Sequence, residues 1–328
     1  MKDTYRGIFL CVAIVLASLL SGDPAAAFGE GSWSDSVLSS LGVSKLQVDP
    51  YVKVGYQRMS VNLNVPVPPS NWGAETEDID VKMAKQDFAI GSLGVRGLVG
   101  QRFGLFAEAS VSALNSGAVE TFTSFGYWIG LLGPSGLSWS TERVRWWEVN
   151  LGGSVSILDS GSLLLGYKFD RLAQKLTRPH DMISFFGVPI GEDHFGDLDI
   201  QTWSPYVGFR IDDRFWRFDL IWSPWLTSYR TTMPLRWVID WTTPTEIQES
   251  LYGLRGSRGN LFEAYGEARF NVFDRLAAKL WGKASWLNCP GNGDRDMISS
   301  LAPSESQSAT GSLARYLWAL GVSGEIKL

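Results

Sequence analysis

Cysteine is nearly absent from this 328-residue chain: there are two, and Cys11 lies inside an apolar N-terminal run. With that run set aside only Cys289 remains, so no disulfide can close within the chain. Long hydrophobic stretches are missing too. Beyond residue 20 no segment approaches the ~18 consecutive apolar residues of a membrane helix, which excludes helical spans. There is no basic run, and the net charge is only −5, so nucleic acid is not an expected partner. Histidine is scarce as well. His180 and His194 are the only two, which confines histidine-based catalysis to one segment of chain. His180-Asp181 and Asp193-His194 are too sparse for a metal site, and neither a metal nor a cofactor is expected.

What the chain does contain begins at its N-terminus. Lys2 and Arg6 precede an apolar run over residues 7–20; Gly22, Pro24 and Ala25-Ala26-Ala27 follow. A basic start, a short apolar core and small residues before Phe28 read as a secretory signal peptide over 1–27. The mature chain would then be 28–328. Trp33, Val37, Leu38 and Leu41 fall at helical spacing. The segment near 33–44 therefore reads either as a short amphipathic helix or as an irregular lead-in to the first strand.

The chain holds 15 Trp, 17 Phe and 35 Gly, and 45% of its residues are hydrophobic. In FWRFDLIWSPWLTSYR (215–230), Trp216, Phe218, Leu220, Trp222 and Leu226 share one parity. Arg217, Asp219 and Ser223 share the other, with Ile221 and Trp225 as exceptions. Side chains alternate faces along a strand, so one face is greasy and the other charged. The same two tracks recur along the chain. Tight turns at 100–102, 159–162, 212–214 and 271–275 alternate with long segments near 65–86, 113–142, 173–198, 228–258 and 288–311. The pattern predicts an all-β fold, an antiparallel transmembrane β-barrel of about ten strands with short periplasmic turns and five long extracellular loops. The expected location is the bacterial outer membrane, among its lipid and lipopolysaccharide. The last strand, with Tyr316, Trp318, Leu320, Val322, Ile326 and Leu328 on one face, fits that class, although it ends on Leu328 rather than an aromatic residue.

If the apolar track meets lipid, the other track lines a narrow lumen. It carries Lys53, Arg96, Glu108, Glu148, Lys168, Asp170, Arg210, Arg217, Asp219, Glu263, Glu267, Arg269, Lys279, Lys283 and Glu325. Charges in so tight a space are costly unless paired. They read as an interlocked network that plugs the lumen, or as the lining of a narrow solute path. The long segments are unusually apolar: TSFGYWIGLLGPSGLSW, SFFGVPIG and MPLRWVIDW either extend the wall, fold over the mouth or offer a surface to a ligand. Arg143, Arg145, Arg178, Arg230 and Arg236 flank the rim, where they could meet lipopolysaccharide phosphates.

SPYVGFR followed by FDLIWSPW, together with the final three strands, resembles the omptin family of outer-membrane endopeptidases. The resemblance implies a ten-stranded barrel rising above the membrane. It also implies an Asp-Asp pair in the first outer loop facing an Asp-His pair in the fourth, with a water between them. Asp78 and Asp80 stand where the first pair would be, and they also read as acids of a solvated loop. The fourth long segment, TTMPLRWVIDWTTPTEIQESLYGLRGSRG, has Asp240 but no histidine. Asp193 and His194, in the third, are the substitute candidates. Three functions stay open. One is a non-catalytic barrel whose loops serve binding of an extracellular ligand or peptide, adhesion or structure. The others are an omptin-like endopeptidase with a displaced site at Asp78, Asp80, Asp193 and His194, and a narrow solute channel.

Overall fold

The structure is a computed structural model and describes residues 46–67, 77–99, 102–115, 119–124, 136–177, 196–239, 246–273, 276–299 and 305–326. They form β1 (Leu46–Val67), β2 (Glu77–Val99), β3 (Phe103–Asn115), β4 (Val119–Ser124), β5 (Gly136–Ser156), β6 (Gly161–Thr177), β7 (Gly196–Asp212), β8 (Trp216–Ile239), β9 (Glu246–Phe273), β10 (Leu276–Ser299) and β11 (Glu305–Ile326). All neighbours are antiparallel. β3 and β4 both lie between β2 and β5 and share one position, and β1 pairs with both β2 and β11. The sheet therefore closes as a ten-position barrel with no free edge.

The two tracks separate as the pleat requires. Val52, Val54, Leu93, Leu105, Leu163, Leu165, Trp216, Phe218, Trp222, Leu280, Leu320 and Val322 are exposed on the outside. Lys53, Glu148, Lys168, Asp170, Arg217, Asp219, Glu263, Glu267 and Lys279 are buried inside. Large rings on the inner wall lie over glycines. A Cβ at Gly94 would come within 2.2 Å of the Tyr51 ring, and one at Gly166 within 2.3 Å of the Tyr206 ring. Glycine is required where a ring approaches the backbone that closely.

The strands run further than alternation indicated. β8 continues to Ile239 and β9 starts at Glu246, so most of 228–258 is paired wall. Asp78 and Asp80, read above as loop residues, sit in the β1–β2 ladder opposite Pro66 and Asn64. The reason lies inside the barrel. Beyond Gln57 the inward residues of β1 are Met59, Val61 and Leu63, all buried. The alternate positions Arg58, Ser60, Asn62 and Asn64 are polar and point outward, so the two tracks exchange faces along the strand and an apolar residue no longer marks the outer wall.

The exceptions in 215–230 also find their cause. Ile221 faces inward and is buried. Trp225 has the same parity but sits in a bulge, where β8 slips against β7 between Trp222 and Ser228 and against β9 between Ser223 and Thr227. Its φ is 52°, its N–H donates to Asn260 Oδ1 at 3.1 Å, and its ring is turned outward, 68% exposed. Arg258, φ 64°, marks the answering slip in β9. Bulges re-aim side chains in this way.

Candidate functional site: a two-tier lumen

The end of the barrel with the short turns has a charged interior. Glu267 is the hub. It lies 3.3 Å from Arg96, 3.4 Å from Lys279 and 2.9 Å from Arg269, and it accepts from the Tyr265 hydroxyl at 2.9 Å. Arg96 and Lys279 also reach Glu325, and Arg269 reaches Asp212 at 2.8 Å. Beside it Asp219 takes Arg210 at 2.8 Å and Arg217. Deeper in, four charges alternate around a square. Lys168 lies 2.5 Å from Glu263 and 3.5 Å from Glu148, while Lys283 lies 2.8 Å from Glu148 and 3.4 Å from Glu263. Lys53 pairs with Glu108 at 2.6 Å, and Arg315 grips Asp170 through both guanidinium nitrogens. Pairing and shared hydrogen bonds are what make so many buried charges tolerable.

The inner wall changes character within one inward step. Asp170 is followed by Leu172, Arg315 is preceded by Leu313, and Glu263 by Leu261. From there towards the far end of the described lumen the wall is mainly apolar, with Gln86, Gln174, Thr202 and Thr231 buried among the hydrocarbon. The apolar residues include Met59, Leu63, Phe88, Trp146, Leu172, Leu198, Ile200, Leu254, Leu261, Leu287, Leu313 and Leu317. A smaller apolar group, Leu164, Tyr206 and Ile221 with Phe106 against it, sits within the charged tier. Among the described residues the lumen is thus lined by ion pairs towards the short turns and mainly by hydrocarbon towards the other end.

Each of the fifteen expected inward charges, Lys53, Arg96, Glu108, Glu148, Lys168, Asp170, Arg210, Arg217, Asp219, Glu263, Glu267, Arg269, Lys279, Lys283 and Glu325, has an ion-pair partner. Sequence reading missed Arg315, Asp212, Tyr51 and Tyr265. Arg315 lies on the parity opposite Tyr316 and Trp318, which was the available signal. Asp193, His194, His180 and Arg178 lie outside the described residues. So do the side chains of Asp78, Asp80, Arg143 and Arg236, whose strand positions alone are described.

The outer wall has its own order. Arg171, Gln201, Arg230 and Arg255 form a row across β6 to β9. Arg171 pairs with Asp199 at 2.8 Å. Arg230 and Arg255 stand opposite one another, both exposed, with no ion-pair partner among the described residues. Two residues nearer the turns, the Phe169 ring packs tilted against Trp203 and Trp147, with centroids 5.6 and 4.9 Å away. On β1 and β2 the apolar belt ends at Tyr56 and Arg58, which hold Asp87 at 2.5 and 2.6 Å. Arg145 is exposed on β5.

No protein-family model matches the chain, and no curated protein matches it in sequence. Among solved structures it is similar to the outer membrane protease OmpT from Escherichia coli, at 11% identity over 86% of this chain and 97% of that one, with a TM-score of 0.58. The toluene transporter TodX of P. putida follows at 8% identity, covering 85% of this chain and 90% of its own, TM-score 0.33. The translocator domain of the autotransporter NalP from Neisseria meningitidis aligns at 10% identity over 87% and 94%, TM-score 0.30. The chain thus has a closed antiparallel barrel fold similar to that of OmpT, and at this identity the similarity is one of fold.

Proposed function

We propose that the chain is an integral β-barrel of the bacterial outer membrane, non-catalytic, with a stopped lumen and with a far end that serves surface binding, adhesion or structure. One observation carries the reading: an exposed apolar belt surrounds an interior occupied by ion pairs and packed hydrocarbon. Apolar surface of that extent is not left in water. The belt ends in aromatic residues and then in charge, the order found across a membrane interface. The short turns are placed in the periplasm, and the strand extensions rise into the medium. Lipopolysaccharide is the proposed lipid partner. Arg230 faces Arg255 without a carboxylate between them, and like charges directly opposed favour an anion that bridges them. Arg143, Arg145, Arg178 and Arg236 complete the basic rim in this reading.

Tryptophan fluorescence of the protein in vesicles made with brominated phospholipid tests the belt. Strong quenching is expected, because Trp216 and Trp222 face the acyl chains; fluorescence equal to that in unbrominated vesicles would overturn the membrane reading. Sugar-driven swelling of the same vesicles should match that of protein-free ones.

A further inference from the structure

Within the charged tier, and reaching the first apolar side chains at Ile90 and Trp146, there is a cavity of about 60 Å³ that Gln57, Ser92, Ser110 and Glu108 help to line. Two of these present buried donors with no acceptor: the Gln57 amide Nε2 and the Trp146 indole Nε1. Orphaned N–H groups are costly in an interior, and those that face open space ask for a partner there. The opposite capacity is present too. Glu108 accepts from Tyr51 and from Lys53 through the same oxygen, Oε2, at 2.7 and 2.6 Å, which leaves Oε1 with lone pairs to offer. Ser92 and Ser110 bond to each other at 2.8 Å, so one of the two hydroxyl hydrogens is left over.

Charge selects the class of occupant. The lining cations Lys53, Arg96, Arg217 and Lys283 are matched by Glu108, Glu148, Asp219 and Glu263. A balanced wall gives an ion no net attraction to offset its dehydration. Unspent donors beside unspent acceptors suit a neutral molecule able to do both.

We infer that this cavity is a water site, a cluster of about four to six molecules at roughly 10–15 Å³ each, bridging Gln57 and Trp146 to Glu108. The cluster belongs to the lumen network and ends where the hydrocarbon stopper begins, at Ile90 and Trp146. Gln86, Thr202 and Tyr229 also carry unpartnered buried atoms in the apolar tier, but none of them lines this cavity. The lumen is therefore wet at this cavity, and the packed hydrocarbon beyond it is the barrier to solutes.

Protein labelled with ¹⁵N-tryptophan and refolded in micelles tests this directly, with Trp146→Phe identifying the indole resonance. A cross-peak between the Trp146 indole proton and water is expected, and its absence would overturn the site. Sodium bromide should leave the resonance in place; a saturable shift would assign the cavity to an anion instead. In urea, Gln57→Leu should lower the unfolding midpoint or leave it unchanged. A dry cavity would give the contrary result, a higher midpoint, because an orphaned donor would have been removed.

Discussion

The two tiers of the lumen use the inward positions of the same strands, yet they fill the barrel by opposite means. On β6 the step from Asp170 to Leu172 passes from a charge held by Arg315 to a side chain held only by its neighbours. The charged tier gains register and shape from directional pairs, while much of its Coulomb attraction is offset by desolvation. The apolar tier gains stability from burial alone and imposes little direction. A barrel with both has directional pairing at one end and cohesive packing at the other.

Breaking the charged tier should have the largest effect. Asp170→Leu leaves Arg315 buried without a carboxylate, and guanidinium unfolding from lipid vesicles should show a loss of about 3–5 kcal/mol. Replacing both residues with leucine should recover most of that loss, since no charge is then stranded. In the apolar tier, Leu261→Ala removes a fully buried side chain. The same measurement should show about 2–5 kcal/mol, with no comparable rescue from a second substitution. Gly94→Ala drives a methyl group into the Tyr51 ring and should cost about 1–3 kcal/mol through overpacking. The smallest effect on stability is expected on the outer wall. Arg230→Ala should change it by less than about 0.5 kcal/mol. It should nonetheless reduce the gain in melting temperature that lipopolysaccharide confers, whereas an equal gain in the variant would remove Arg230 from the lipid site.

How much of this was legible in the sequence depended on contrast between faces. Glu263, Glu267 and Arg269 share one parity opposite small and apolar neighbours, so the charged tier could be read from spacing. Arg315 was passed over because it is a single charge within LARYLWAL, where the outward aromatics set the pattern. Asp212 looked like a turn residue, yet it ends β7 and holds Arg269. The apolar tier could not be read at all: Met59, Val61 and Leu63 face the lumen, but nothing in their chemistry separates them from residues that face lipid. Wall therefore looked like loop across 228–258. Trp225 needed the bulge, whose two-strand slip has no local signature beyond Pro224. The candidate site was legible to the same extent as its chemistry. The ionic half was visible, but the cavity between Gln57 and Trp146 depends on which strands become neighbours.

The stopped lumen is tested most directly by single-channel recording of the purified protein in planar bilayers. The two tiers in series lead us to expect insertion without a steady current. A stable ohmic conductance from the unaltered protein would contradict them.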